Sequence, residues 1–154
     1  MARTAAPNLD RLHALLRLGP VLLALPQSEV RTLELAVDVD ASGERPERGV
    51  GWLELERRRC PVYALDPELE LAPDRALDRG ACVLIDDGES LFGIVVDAVE
   101  RCEIEHATAL PAPMRGEATP IEALAIVDAS VICVTSSARL SRWVGAARAS
   151  APVI

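Results

Sequence analysis

An all-β barrel or sandwich with helices only at its ends is the fold class this sequence predicts. Three observations lead there. Short β-branched apolar runs recur along most of the chain, Asp, Gly, Pro and Ser divide them, and some divisions are short enough to be hairpins. The clearest run is residues 91–100, with Gly93 inside it and Asp97 near its end, reached from residues 81–86 across Asp87, Gly88, Glu89 and Ser90. Apolar runs joined by a short Asp-Gly connection predict two neighbouring antiparallel strands.

Taken in order, Leu9, Leu12 and Leu16 fall at i, i+3 and i+7, with Asn8 placed to cap and Gly19 just past the end. This spacing predicts a short amphipathic helix docked on its own domain, within an N-terminal segment of residues 1–19. The apolar stretch 15–25 is interrupted by Arg17, Gly19 and Pro20. Only residues 21–25 are uninterrupted, too short for a signal sequence or a membrane span, so no membrane insertion is expected.

Residues 21–25 read as the first strand, Pro26, Gln27 and Ser28 begin a turn, and residues 29–33 form the next strand. The charged segment 41–49 is a loop. Residues 50–56 alternate with period two, Arg57, Arg58 and Arg59 turn the chain, and residues 60–65 return it as a second hairpin. The acidic segment 67–80 is the crossover between two halves, and residues 98–105 are a further strand. Leu110, Pro111, Ala112 and Pro113 cannot join a central ladder because proline lacks the donor. Strands at 121–128 and 131–135 close about Ala129 and Ser130, followed by a helix over 138–144 and a flexible tail over 145–154.

A chain of 154 residues can bury a core without staples. Half of its residues are apolar, yet there are only two Trp, one Tyr and one Phe, so the interior is built from Val, Leu, Ile and Ala. Net charge is −8, and stacking platforms for bases are scarce, which argues against nucleic acid as a partner. All sixteen basic residues are arginine. The absence of lysine excludes Schiff-base chemistry, the phosphate-loop lysine and the kinase strand lysine. Cys60, Cys82, Cys102 and Cys133 show no metal-ligand spacing and sit in or beside apolar runs, so they are expected to be buried free thiols in a reducing cytoplasm. His13 and His106 are isolated from other ligand types, and no cofactor or metal is expected.

The order of these segments resembles the CheW-like adaptor domain of bacterial chemosensory systems, over residues 20–144. Family members read V-x-E-I, then G-V-x-N-L-R-G, I-P-V-x-D-L, G-x-x-V-D-x-V, a proline-rich I-x-P-x-P, and a terminal hairpin. Here Val30, Arg31, Thr32 and Leu33 fill the first slot, residues 51–57 the second and residues 60–65 the third. Residues 93–99, Gly-Ile-Val-Val-Asp-Ala-Val, match best. The resemblance implies two five-stranded barrels packed around one core, with no catalytic residues. It also implies an adaptor that couples a chemoreceptor's cytoplasmic tip to the regulatory domain of a histidine kinase, whether in swimming chemotaxis, a pilus or another pathway.

The departures are specific. Glu54 and Glu56 stand where the pattern has Asn and Arg, Arg57 replaces its Gly, and Ala64 and Asp66 replace the later Asp and Arg. Reversed charge at an interface costs several kcal/mol, which implies loss of receptor binding or a receptor tip that is more basic. The partner-binding candidates are therefore Val30, Arg31, Leu33, Trp52, Glu54, Glu56, Arg57 and Val99. Trp52 is the expected interface anchor, while Glu54 and Glu56 are either docking residues or the solvent side of an alternating strand. Asp86, Asp87 and Asp97 read as turn or structural acids, and Ser136-Ser137 lacks the surroundings of a nucleophile elbow. A divergent decoy that binds the kinase or a small ligand without receptor coupling is the alternative.

Overall fold

The computed structural model describes residues 11–73, 80–111 and 119–149, with residues 146–149 described by their backbone. Eleven strands lie in two curled sheets: β1 Leu12–Leu18, β2 Val21–Pro26, β3 Val30–Leu35, β4 Gly51–Leu55, β5 Arg58–Ala64, β6 Ala81–Asp86, β7 Leu91–Val96, β8 Ala98–Glu103, β9 Thr108–Ala109, β10 Ala123–Val127 and β11 Ser130–Val134. Among the described residues there is one α-helix, α1, over Ser137–Ala149, besides short 3-10 turns at Gln27–Glu29 and Ala36–Asp38. The first sheet runs β8-β1-β2-β11-β10-β9 and the second β3-β6-β7-β5-β4. The mainly-β expectation holds, and β1 and the two-residue β9 are the strands the sequence reading did not contain. With β9 the first sheet has six strands rather than five.

The expected N-terminal helix is corrected. Leu12–Leu18 is a strand paired on both sides, Leu16 with Leu23 of β2 and with Val99 of β8. The reason lies in its burial. Ala14, Leu16 and Leu18 face a core shared with the second sheet, while Leu15 faces the interior of the first. A strand buried on both faces loses the period-two signature, so a chance helical spacing stood out instead. Asn8 and Leu9 lie outside the described residues.

The same double burial explains the run that carries Gly93. All six residues of β7 are buried: Phe92, Ile94 and Val96 pack into the shared core, and Leu91 and Val95 into the second sheet's own interior. Gly93 lies between Val62 and Leu84, where a Cβ would come within 2.8 Å of Cys82 Sγ. Only a residue without a side chain fits there unless Cys82 shifts. At Asp97 the chain passes from the second sheet to the first. Asp97 Oδ2 accepts the Gly19 N–H at 2.7 Å, and its own N–H donates to the Arg17 carbonyl at 2.9 Å. Asp97 is a clamp on the β1–β2 turn, where Gly19 takes φ +62.

Helix α1 leaves the first sheet and seals the shared core with Leu140, Trp143 and Val144, at the i, i+3, i+4 spacing of a buried face. Its start is held twice. The Ser137 N–H donates to Glu29 Oε1 at 2.6 Å, and the Arg139 N–H donates to Ser136 Oγ at 3.2 Å. Ser136 and Glu29 thus cap the helix, accepting first-turn N–H groups that lack partners within it. The helix continues through residues 145–149, correcting the flexible tail for that stretch. Residues 150–154, 112–118 and 74–79, the last belonging to the crossover, lie outside the described residues.

A candidate docking groove between the two sheets

Each barrel contributes one wall of a cleft of about 280 Å³. Ala14 of β1 and Val99, Glu100 and Arg101 of β8 form one side; Val30, Arg31, Thr32 and Leu33 of β3, with Val83 of β6, form the other. Val30 and Thr32 straddle a register shift against β6, which frees Arg31 from regular pairing. The floor is apolar. Leu33 is paired with Val83, yet it is 54% exposed against 0% for its neighbour, because β3 is the edge strand of its sheet whereas β6 is paired on both sides. Leu35 and Val37 extend that apolar edge at 62% and 85% exposure. A contiguous exposed apolar strip rimmed by charges is the surface expected of a docking site.

The charges on the rim are paired across short distances. Arg31 reaches Glu56 at 3.4 Å, and Arg17 reaches Glu100 at 3.6 Å, with all four side chains solvent-exposed. Arg31 lies on edge strand β3 and Glu56 in the turn that follows the opposite edge strand, β4, so the sheet curls until its edges meet through side chains. At its other end the same seam is closed by backbone: Asp40 and Trp52 exchange N–H···O bonds of 2.7 and 2.9 Å.

The β4–β5 turn that presents Glu56 has positive φ at both central residues, +52 at Glu56 and +67 at Arg57. Such turns favour Asn-Gly, and side chains there cost about 1 kcal/mol each. The position where the family pattern has Gly is thus a left-handed one that Arg57 occupies.

Of the sequence-derived candidates, Val30, Arg31, Leu33 and Val99 meet in the groove, with Glu56 at its mouth. Trp52 does not. It lines a separate depression of about 380 Å³ with Pro46, Pro61 and Tyr63. Its Nε1–H donates to the Glu44 carbonyl at 2.7 Å, and the Arg59 guanidinium lies 4.3 Å over its ring. Glu54 is exposed opposite Arg59 in the hairpin register, and Arg57 is exposed in the turn. The sequence reading missed Glu100 and Arg101. Their signal was β8's alternation beyond Val99, which becomes informative only once β8 is known to pair with β1.

The acids weighed as a metal or carboxylate site do not converge. Asp86 Oδ1 accepts the Gly88 N–H at 2.8 Å, Asp97 is bound to Gly19, and Asp87 Oδ1 accepts the N–H groups of Glu89 and Ser90 at 2.8 and 2.7 Å. Partial burial pushes the Asp87 carboxyl up, but bonds from Ser141, Glu89 and Ser90 outweigh it and hold its pKa at about 2. That links the β6–β7 turn to α1. Among the described residues no three His, Cys, Asp or Glu side chains are grouped to hold a metal ion, and no helix is long and apolar enough to cross a membrane. The four cysteines are free; Cys60 and Cys82 are buried, whereas Cys102 and Cys133 are half-buried. Burial, with Glu34 and Cys60 nearby, pushes the Cys82 thiol up to about 12.

Two curled sheets sharing a core, with a groove between them, can be compared with known proteins. The CheW-like domain profile matches residues 13–144. The chain belongs to the CheW-like domain family. In structure it is similar to the scaffolding protein TtCheW from Thermoanaerobacter tengcongensis, with a TM-score of 0.64 at 20% identity, over 81% of this chain and 88% of that one. At that identity the likeness concerns the fold. A comparison with curated proteins returns no match. The CheW-like match begins at His13, so β1, expected to be a helix outside the domain, is a strand inside it.

Proposed function

We propose that this chain is a non-enzymatic cytoplasmic adaptor of a bacterial chemosensory system, joining a chemoreceptor tip to the regulatory domain of a histidine kinase. The observation that carries this reading is the groove between the sheets of a CheW-like fold. It brings Val30, Arg31, Leu33 and Val99 to one apolar-floored surface. Such a groove suits an amphipathic helix laid along it, because apolar anchors repeat on one helix face while the rim charges fix its register. The groove is assigned to the receptor tip. Trp52, Glu54 and Arg57 stand on the β4–β5 hairpin, outside the groove, and are left out of the receptor contact.

The test is co-sedimentation of the full chain with the regulatory domain of a chemosensory histidine kinase. Binding at micromolar concentrations supports the adaptor reading, and no binding across that range overturns it. Kinase activity measured with and without receptor separates a coupling adaptor from a decoy: a decoy occupies the kinase and leaves its activity insensitive to the receptor.

A further inference from the structure

We infer that Arg31 and Arg101 are the carboxylate-reading residues of the groove, that Glu56 is an internal stand-in for the partner's carboxylate, and that the groove selects a helix with acidic flanks. This rests on the groove being a helix-docking surface. The charged side chains that line the groove itself are Arg31, Glu100 and Arg101. Glu100 is answered by Arg17 at 3.6 Å, which leaves an arginine on each wall, Arg31 from β3 and Arg101 from β8. In a chain of net charge −8 this is a locally basic, apolar-floored site. An acidic, apolar helix complements it.

Glu56 is not among the groove-lining residues; it approaches from the β4–β5 turn to engage Arg31 at 3.4 Å. Both partners are exposed, and the geometry is long, with Arg31 Nη2 at 3.5 and 3.4 Å from the two carboxylate oxygens. A pair of this kind contributes little and exchanges readily for a better-placed carboxylate. Glu56 is moreover presented from a left-handed turn position, φ +52, that long side chains rarely adopt. Sequence alone, with Glu54 and Glu56 in view, pointed to a more basic partner. The placement of the two arginines on the groove walls points to an acidic one.

The experiment measures binding of the full chain to three designed helical-hairpin peptides. Each carries the same leucine and valine face, flanked by glutamate, glutamine or arginine. The glutamate peptide is expected to bind about three- to fivefold more tightly than the glutamine peptide, the size of one or two exposed charge pairs. Arg31→Gln and Arg101→Gln should each bring the affinity for the glutamate peptide close to that for the glutamine peptide. Glu56→Gln, which frees Arg31, should tighten the glutamate peptide by about twofold. Equal binding of the glutamate and glutamine peptides, or a preference for the arginine peptide, overturns the charge assignment but leaves helix docking standing. Binding of none overturns both. Because all three substitutions lie on the surface, unchanged thermal unfolding is the control for folding.

Discussion

The groove between the two sheets and the Trp52 face of the second sheet differ in whether the protein satisfies its own groups. Around Trp52 everything is answered internally: the indole N–H by Glu44, the ring by Arg59, and the backbone by Asp40. In the groove Leu33 stands more than half exposed, as does Leu35 farther along the same edge strand, and the nearest ion pairs are loose and solvated. A tryptophan in an aromatic-poor chain is therefore not by itself an anchor for a partner. What marks a docking surface is apolar area that the fold leaves uncovered.

Substitutions can break or sharpen this contrast. Trp52→Ala removes a ring already packed by its own chain and should destabilise the fold by about 2–3 kcal/mol in denaturant unfolding, with receptor-tip affinity unchanged. Leu33→Asp should do the reverse: a stability change within about 0.5 kcal/mol, and at least a tenfold loss of receptor-tip affinity, about 1.4 kcal/mol. If Trp52→Ala abolished docking at full stability, the two regions would have been assigned the wrong way round.

A third, self-satisfied region offers a pH test. Asp87 has a folded pKa of about 2, below its ordinary value of 3.8, so its contribution is present above about pH 4 and is lost as pH falls towards 2. Asp87→Asn should lower stability at neutral pH by about 1 kcal/mol and flatten the decline between pH 4 and 2 in acid titrations. The smallest effect concerns the thiols. Cys82, with its pKa pushed up to about 12 and no exposure, should resist alkylation at pH 8 in the native protein, whereas half-buried Cys102 and Cys133 should react first. Labelling followed by peptide mapping reads that order.

Much of the second barrel was legible in the sequence because its hairpins announce themselves. Residues 50–65 alternate about a charged turn, and Asp87-Gly88 joins β6 to β7. The first barrel was less legible. Leu12–Leu18 is buried on both faces, so no local period identified it; β2 follows it across a tight turn, but its other partner, β8, lies far along the chain. The site divides the same way. Val30, Arg31 and Leu33, which line the groove, were named from a local motif, but the place of Glu100 and Arg101 beside them depends on β8 pairing with β1, a contact between distant segments. Nor could the Arg31–Glu56 pair be read, since it depends on the curl that brings β3 and β4 together.

Amide hydrogen exchange of the full chain, with and without a chemoreceptor cytoplasmic tip fragment, tests the docking groove most directly. The account predicts new protection at residues 30–35 and 98–103, the two walls, and none at residues 44–47 or Trp52. Protection confined to the Trp52 face, with the groove walls exchanging as in the free protein, would contradict it.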